Sequence, residues 1–109
     1  MSADNYFSMT QTAVSVTSPV SVDTTSGGTV IAAANDKRKE IILQNCGTEP
    51  CLICLGETPT TSNYNLVLAD GTANRDGLGA SVTIDFYQGV ITGLTEANST
   101  AIGVTEITD

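Results

Sequence analysis

Apolar and polar residues alternate along much of the chain with a period of two, which is typical of β-strands with one buried face. In 14–22 four valines share one parity, with Ser and Thr between them. This pattern predicts a half-buried strand. Pro19 predicts that the strand lies at a sheet edge or bends into two short strands. The same alternation predicts another strand at 82–87.

Shorter apolar runs predict further strands at 40–45, 51–55, 66–68 and 101–107. The run at 29–34 is too short to decide between strand and helix, because its alanines leave a helix possible. Within 40–45 we expect Ile41 and Leu43 to point inward and Ile42 to point outward. About eight short strands separated by Gly, Pro and Asn turns predict an all-β domain, a small β-sandwich or jelly-roll-like barrel of antiparallel strands. Residues 1–13 show no sustained pattern and are expected to form an extended N-terminal arm, with 14–109 as the β-sandwich domain.

Composition supports one small β domain. The chain has 109 residues, enough for a single thin core. Charged residues make up only 15% of it, below the usual quarter or so. Thr, Ser, Val and Ile are frequent, and such residues suit pleated, half-buried surfaces. A hydrophobic content of 40% is too high for a disordered tail.

The charge balance argues against nucleic acid as a partner. The chain has four Lys and Arg residues and twelve Asp and Glu residues, which gives a net charge of −8 and a pI near 4.1. Binding to phosphates needs clustered cations. No apolar run reaches the roughly 18 residues of a membrane helix, and the N-terminus lacks the features of a signal peptide. We therefore expect synthesis in a cytoplasm and no membrane partner.

Candidate chemistry is sparse. The chain has no His, the commonest general base and zinc ligand. Its three cysteines, Cys46, Cys51 and Cys54, leave three alternatives open: a zinc site completed by a carboxylate or another chain, a Cys46–Cys51 disulfide, or small buried apolar residues. The last is favoured because the cysteine count is odd and a cytoplasm is reducing. We expect no enzyme activity, no catalytic or metal site and no cofactor.

Two segments are candidates for contacts with other subunits. The arm carries aromatic residues and Met, which interfaces favour. A basic triplet precedes the strand at 40–45; its charges either dock onto an acidic partner surface or, more commonly, guard a strand against edge pairing. The hypothetical capsid or subunit interface residues are Tyr6, Phe7, Met9, Lys37, Arg38 and Lys39.

A family resemblance rests on residues 38–56, which read R-K-E-I-I-L-Q-N-C-G-T-E-P-C-L-I-C-L-G. They resemble the hairpin R-x-x-L-x-L-x-N-x-G-x-x-P-h-x-h-x-L-G, where h is apolar, of small virion proteins of tailed bacteriophages. Residues 66–71 resemble the h-x-L-x-x-G segment of such proteins, 86–91 resemble their h-Y-x-G-h-h segment, and 104–107 resemble a common closing strand. Cysteine at some apolar hairpin positions is a departure from the family pattern.

The resemblance implies a β-sandwich on the virion, most often a capsid decoration (cement) protein. Such a protein binds the major capsid protein on the outer capsid surface, commonly as a homotrimer, and stabilises the shell. Related modules occur in tails and fibres, so a tail, baseplate or fibre subunit is an alternative. A carbohydrate- or receptor-binding module is another, with Tyr64 and Tyr87 as its plausible aromatic residues.

Overall fold

A computed structural model describes residues 13–72, 74 and 76–109, and in this part of the chain nine strands form two antiparallel sheets. No helix long and apolar enough to cross a membrane occurs among these residues. The all-β prediction is confirmed. The strands are β1 (Ala13–Val16), β2 (Val20–Val22), β3 (Thr29–Ala32), β4 (Arg38–Asn45), β5 (Cys51–Leu55), β6 (Leu66–Leu68), β7 (Ser81–Asp85), β8 (Ile91–Leu94) and β9 (Thr100–Thr108).

The strand order is that of a jelly roll. The first sheet has the order β1-β9-β4-β7, with β2 also paired to β9, and the second has the order β3-β8-β5-β6. β1 and β2 pair with successive parts of β9 and so act as one edge strand interrupted near Pro19, as the sequence predicts. From β2 onward the chain changes sheet at every connection except β5–β6. Two such sheets packed together make a β-sandwich with jelly-roll topology.

The core lies between the two sheets. Along β4 the side chains of Ile41 and Leu43 are fully buried while Ile42 is half-buried, which confirms the predicted facing of this strand. Each fully buried aliphatic side chain contributes about 1.5–3 kcal/mol relative to an exposed one. The buried cluster consists of Val22, Ile31, Ile41, Leu43, Cys51, Ile53, Leu68, Ile91, Ile102 and Val104.

A buried asparagine holds one end of the sandwich together. The Nδ2 of Asn45 donates hydrogen bonds to the carbonyl oxygens of Glu49 at 2.8 Å and Leu68 at 3.0 Å. Its Oδ1 accepts hydrogen bonds from the Gly47 backbone N–H at 3.1 Å and the Thr100 hydroxyl at 2.6 Å. Because all four bonds of the amide are made, its burial is tolerated, and it joins β4 to β6 and β9.

The outer face of the second sheet is partly covered. Leu52 and Cys54 point away from the sandwich core, yet they are only 5% and 2% exposed. The segment 56–65 folds back on this side: the Thr92 hydroxyl donates a hydrogen bond to the Glu57 carbonyl oxygen at 3.0 Å, and Pro59 is buried beside Gly28. A Cβ at Gly28 would come within 2.5 Å of the Pro59 ring, so glycine permits this close approach.

Candidate interaction surface

Two rows of side chains cross the outer face of the first sheet. Residues directly opposite one another in antiparallel strands project to the same face, and Ile41 and Leu43 point to the core, so their neighbours in β4 point outward. We use the term outer face for these outward-pointing side chains of the first sheet only. One row is Val16, Thr105, Ile42 and Thr83, and the other is Val14, Ile107, Glu40 and Asp85.

The valines of β1 are exposed, so the predicted burial of one face of this strand is wrong for them. Val14 is 62% exposed and Val16 is 74% exposed, whereas Val22 in β2 is completely buried. The register gives the reason. Val16 and Val20 are four residues apart, whereas their partners in β9, Thr105 and Ile102, are only three residues apart. One extra residue reverses the facing, because successive residues of a strand alternate between faces.

Phe86 stands at the corner of the outer face, immediately after β7. Its side chain is 91% exposed and its φ is 63°, in the left-handed region that large residues rarely adopt. Its backbone N–H donates a hydrogen bond to the Lys39 carbonyl oxygen at 3.0 Å. The following turn is held by a 2.8 Å hydrogen bond from the Tyr87 hydroxyl to the Val90 carbonyl oxygen. This backbone presents a large apolar ring to solvent.

Arg38 does not belong to an exposed basic patch, so the prediction that it makes a surface contact is wrong. Its side chain is buried, and its Nε lies 2.7 Å from Glu106 Oε2. The guanidinium also donates hydrogen bonds to the carbonyl oxygens of Ala33 at 2.6 Å, Gly89 at 2.9 Å and Tyr87 at 3.1 Å. Arg38 therefore joins β9 to the turn that carries Phe86 and acts as a structural residue.

The other predicted interface residues have different outcomes. Lys37 and Lys39 are exposed, and Lys39 Nζ lies 3.7 Å from Asp109 Oδ1. Tyr6, Phe7 and Met9 lie outside the described residues, which begin at Ala13, one position inside the predicted arm. The role of these five residues as contacts stays a prediction.

Two carboxylates oppose each other on the outer face. Glu40 and Asp85 are cross-strand partners, and the pKa of Glu40 is raised by a side-chain hydrogen bond with Asp85, by desolvation and by the neighbouring charge. Lys39 opposes this shift and is the weakest of the four influences. Lys39, Glu40, Asp85, Phe86 and Ile107 line one surface depression, which we call the Phe86 notch.

The three cysteines are free thiols. Cys51 and Cys54 are buried and Cys46 is half-buried, so the favoured interpretation of small apolar residues is confirmed for the first two. Burial raises the pKa of the Cys51 thiol to about 11, which keeps it protonated at neutral pH. Among the residues that the structure describes, no group of three or more His, Cys, Asp and Glu is placed to hold a metal ion.

A second depression lies between the loops at 24–27, 58–61 and 94–96. Its lining combines the apolar side chains of Pro59 and Leu94 with several hydroxyl-bearing residues, and one of these, Thr95, has a buried hydroxyl without a hydrogen-bond partner. Of the two tyrosines considered for sugar binding, Tyr64 is 44% exposed, and Tyr87 is half-buried with its hydroxyl bonded to Val90.

Comparisons of the chain with protein-family models, with curated proteins and with solved structures find no match.

Proposed function

We propose that this chain is a non-enzymatic virion protein that decorates the outer surface of a capsid and stabilises the shell. The observation that carries the proposal is the outer face of the first sheet, where Val14, Val16 and Phe86 expose most of their apolar surface. Exposed apolar residues scattered singly are ordinary, but here the valines of β1 and Phe86 lie at the two edges of one sheet face, and Ile107 lies between Val14 and the Phe86 notch. Several apolar residues on one face are typical of a protein interface.

Fold-level analogy supports the same proposal. Jelly rolls are found among viral capsid domains and lectins, and this chain has jelly-roll strand order. A fold alone does not define a function, so the analogy adds to the exposed face and does not replace it. The segment 38–56, which resembles a hairpin of phage virion proteins, forms β4 and β5. These two strands lie in different sheets and do not pair with each other, so the expectation of a hairpin is wrong and the segment connects the two sheets instead.

Stabilisation of the shell would follow from binding linkage. A protein that binds the assembled capsid but not its separated subunits lowers the free energy of the assembled state. Each site gains about 2.7 kcal/mol when the free protein is at about a hundred times its Kd. A homotrimer that contacts several capsid subunits would add the effect of multivalency. The major capsid protein is the partner in this proposal.

The proposal is tested with capsids assembled without this chain. Purified chain is added back, and the temperature at which the particles release their DNA is measured with a fluorescent dye. Decoration predicts saturable binding and a higher release temperature. Saturable binding with no change in release temperature would contradict a stabilising role, and no binding would contradict decoration altogether.

A carbohydrate-binding module is a second candidate, favoured by the depression beside Pro59. A lining that combines hydroxyl groups with the apolar side chains of Pro59 and Leu94 matches the mixed surface of a sugar ring, and the buried Thr95 hydroxyl lacks a hydrogen-bond partner in the chain as described. A glycan array tests this candidate, with Leu78→Ser as the control because Leu78 is exposed and does not line the depression. Binding that is lost in Thr95→Val and kept in Leu78→Ser would support it. A tail, baseplate or fibre subunit would share the exposed face and differ in copy number per particle.

A further inference from the structure

We propose that the outer face docks onto a basic patch of another virion protein, with a lysine or arginine side chain of that partner seated in the Phe86 notch. The inference rests on the proposed virion role, which supplies the partner. It adds the surface that binds and the chemistry that the partner must present.

The row Val14–Ile107–Glu40–Asp85 places like charges side by side on an exposed sheet. Directly opposed carboxylates on neighbouring strands repel each other and destabilise the pair. Among the described residues nearby, Arg38 is buried against Glu106, and Lys39 lines the notch but lies against Asp109 and offsets the charge of the two carboxylates only weakly. A cation from outside would therefore relieve a repulsion that the isolated chain retains.

The apolar surroundings fit the stem of a long basic side chain. Phe86 and Ile107 line the notch together with the two carboxylates, and Val14 continues the same row. A lysine or arginine packs its methylene groups along apolar surface while its charged end reaches a polar group. The ring of Phe86 adds attraction for a cation over its face. The exposed valines supply the remaining apolar contact.

Charge complementarity selects the occupant. The chain carries a net charge of −8, so two copies meeting through this face would bring carboxylates together. Nucleic acid and anionic lipid would be repelled for the same reason. A different protein with a basic, partly apolar patch satisfies both the carboxylates and the apolar rows, and opposite charges would also speed encounter.

Rebinding to capsids assembled without the chain tests the inference. In Glu40→Gln/Asp85→Asn the notch keeps its shape and loses its charge, and in Phe86→Asn the ring is removed while asparagine tolerates the positive φ. We expect each variant to bind on the order of tenfold more weakly. The charge variant should also lose most of the salt dependence of binding.

Two substitutions of exposed apolar residues outside the outer face serve as matched controls. Leu78→Ser lies in a loop and Val67→Ser lies on the second sheet, and their side chains are 70% and 47% exposed. Both should bind like the wild type. If the notch variants also bind like the wild type, the docking inference is wrong although the virion role stands. If the wild type itself does not bind, both are wrong.

Carbodiimide cross-linking of intact virions identifies the occupant, because it couples a carboxylate to a lysine amine in direct contact. A link from Glu40 or Asp85 to a lysine of another virion protein supports the inference. A link to Lys37 or Lys39 of a second copy would overturn it in favour of self-association.

Discussion

Replacing Arg38 with methionine tests the buried guanidinium that anchors the Phe86 turn. Methionine keeps an unbranched apolar stem, but it leaves Glu106 without its cation and three carbonyl oxygens without their donors. Breaking a buried ion pair by removing one partner costs about 3–5 kcal/mol. The Glu106 side chain is 21% exposed and can be hydrated, so we expect a loss near the lower end, about 3 kcal/mol.

Urea unfolding followed by circular dichroism measures this loss. With a slope of about 1–3 kcal/mol per molar urea, the Arg38→Met midpoint should fall by roughly 1–3 M. Lys39→Met is the matched control, because its ion pair is 51% and 76% exposed and such pairs contribute about 0–1 kcal/mol. Arg38→Lys should recover little of the lost stability, since an ammonium group cannot reproduce the planar arrangement of hydrogen-bond donors of a guanidinium. If Arg38→Met loses no more stability than Lys39→Met, the structural role of Arg38 is refuted.

Four further outcomes are expected. Asn45→Ala should lose about 2–4 kcal/mol in urea unfolding, because four partners of the amide are left unpaired, while exposed Asn98→Ala should stay within about 0.5 kcal/mol. Phe86→Gly should gain about 1 kcal/mol by relieving the positive φ, whereas Leu78→Gly should gain nothing. The raised pKa of Glu40 favours its protonated form in the folded state, so the stability of the wild type relative to Glu40→Gln should fall as the pH rises above 4.5. The difference between the urea midpoints of the two proteins is measured at pH 4 and at pH 7, and the same difference at both would contradict this expectation. A thiol reagent at pH 8 should label half-buried Cys46 in the native protein and reach Cys51 and Cys54 only in urea, as peptide mass spectrometry would show.

The sequence predicts the all-β class and the facing of β4 because alternation is strict where one face of a strand packs against a core. The sequence does not predict which way the residues of β1 or the side chain of Arg38 point. Both errors have the same cause, one extra residue relative to the partner strand β9. Continued backward from Leu43 and Ile41, the alternation would bury residue 39. An irregularity between Arg38 and Glu40 shifts the register, so Arg38 points inward instead. A bulge inserts one extra residue into a strand, and the alternation of apolar and polar residues does not show where that insertion lies.

The outer face illustrates the same limit for the candidate site. Its members come from β1, β4, β7 and β9, which are far apart in sequence, and only the strand order brings Val14, Glu40 and Asp85 into one row. The exposure of Phe86 is not predicted by the sequence pattern either. Alternation assigns that residue to the same face as Val82 and Ile84, although the positive φ turns it outward.

The most direct test of capsid decoration is the copy number of this chain in gradient-purified virions from its source, measured by quantitative mass spectrometry. Decoration predicts a ratio to the major capsid protein near unity or a simple fraction of it, as symmetric docking requires. A ratio far below this would assign the chain to a tail, baseplate or fibre. Its complete absence from the particles would contradict the virion role itself.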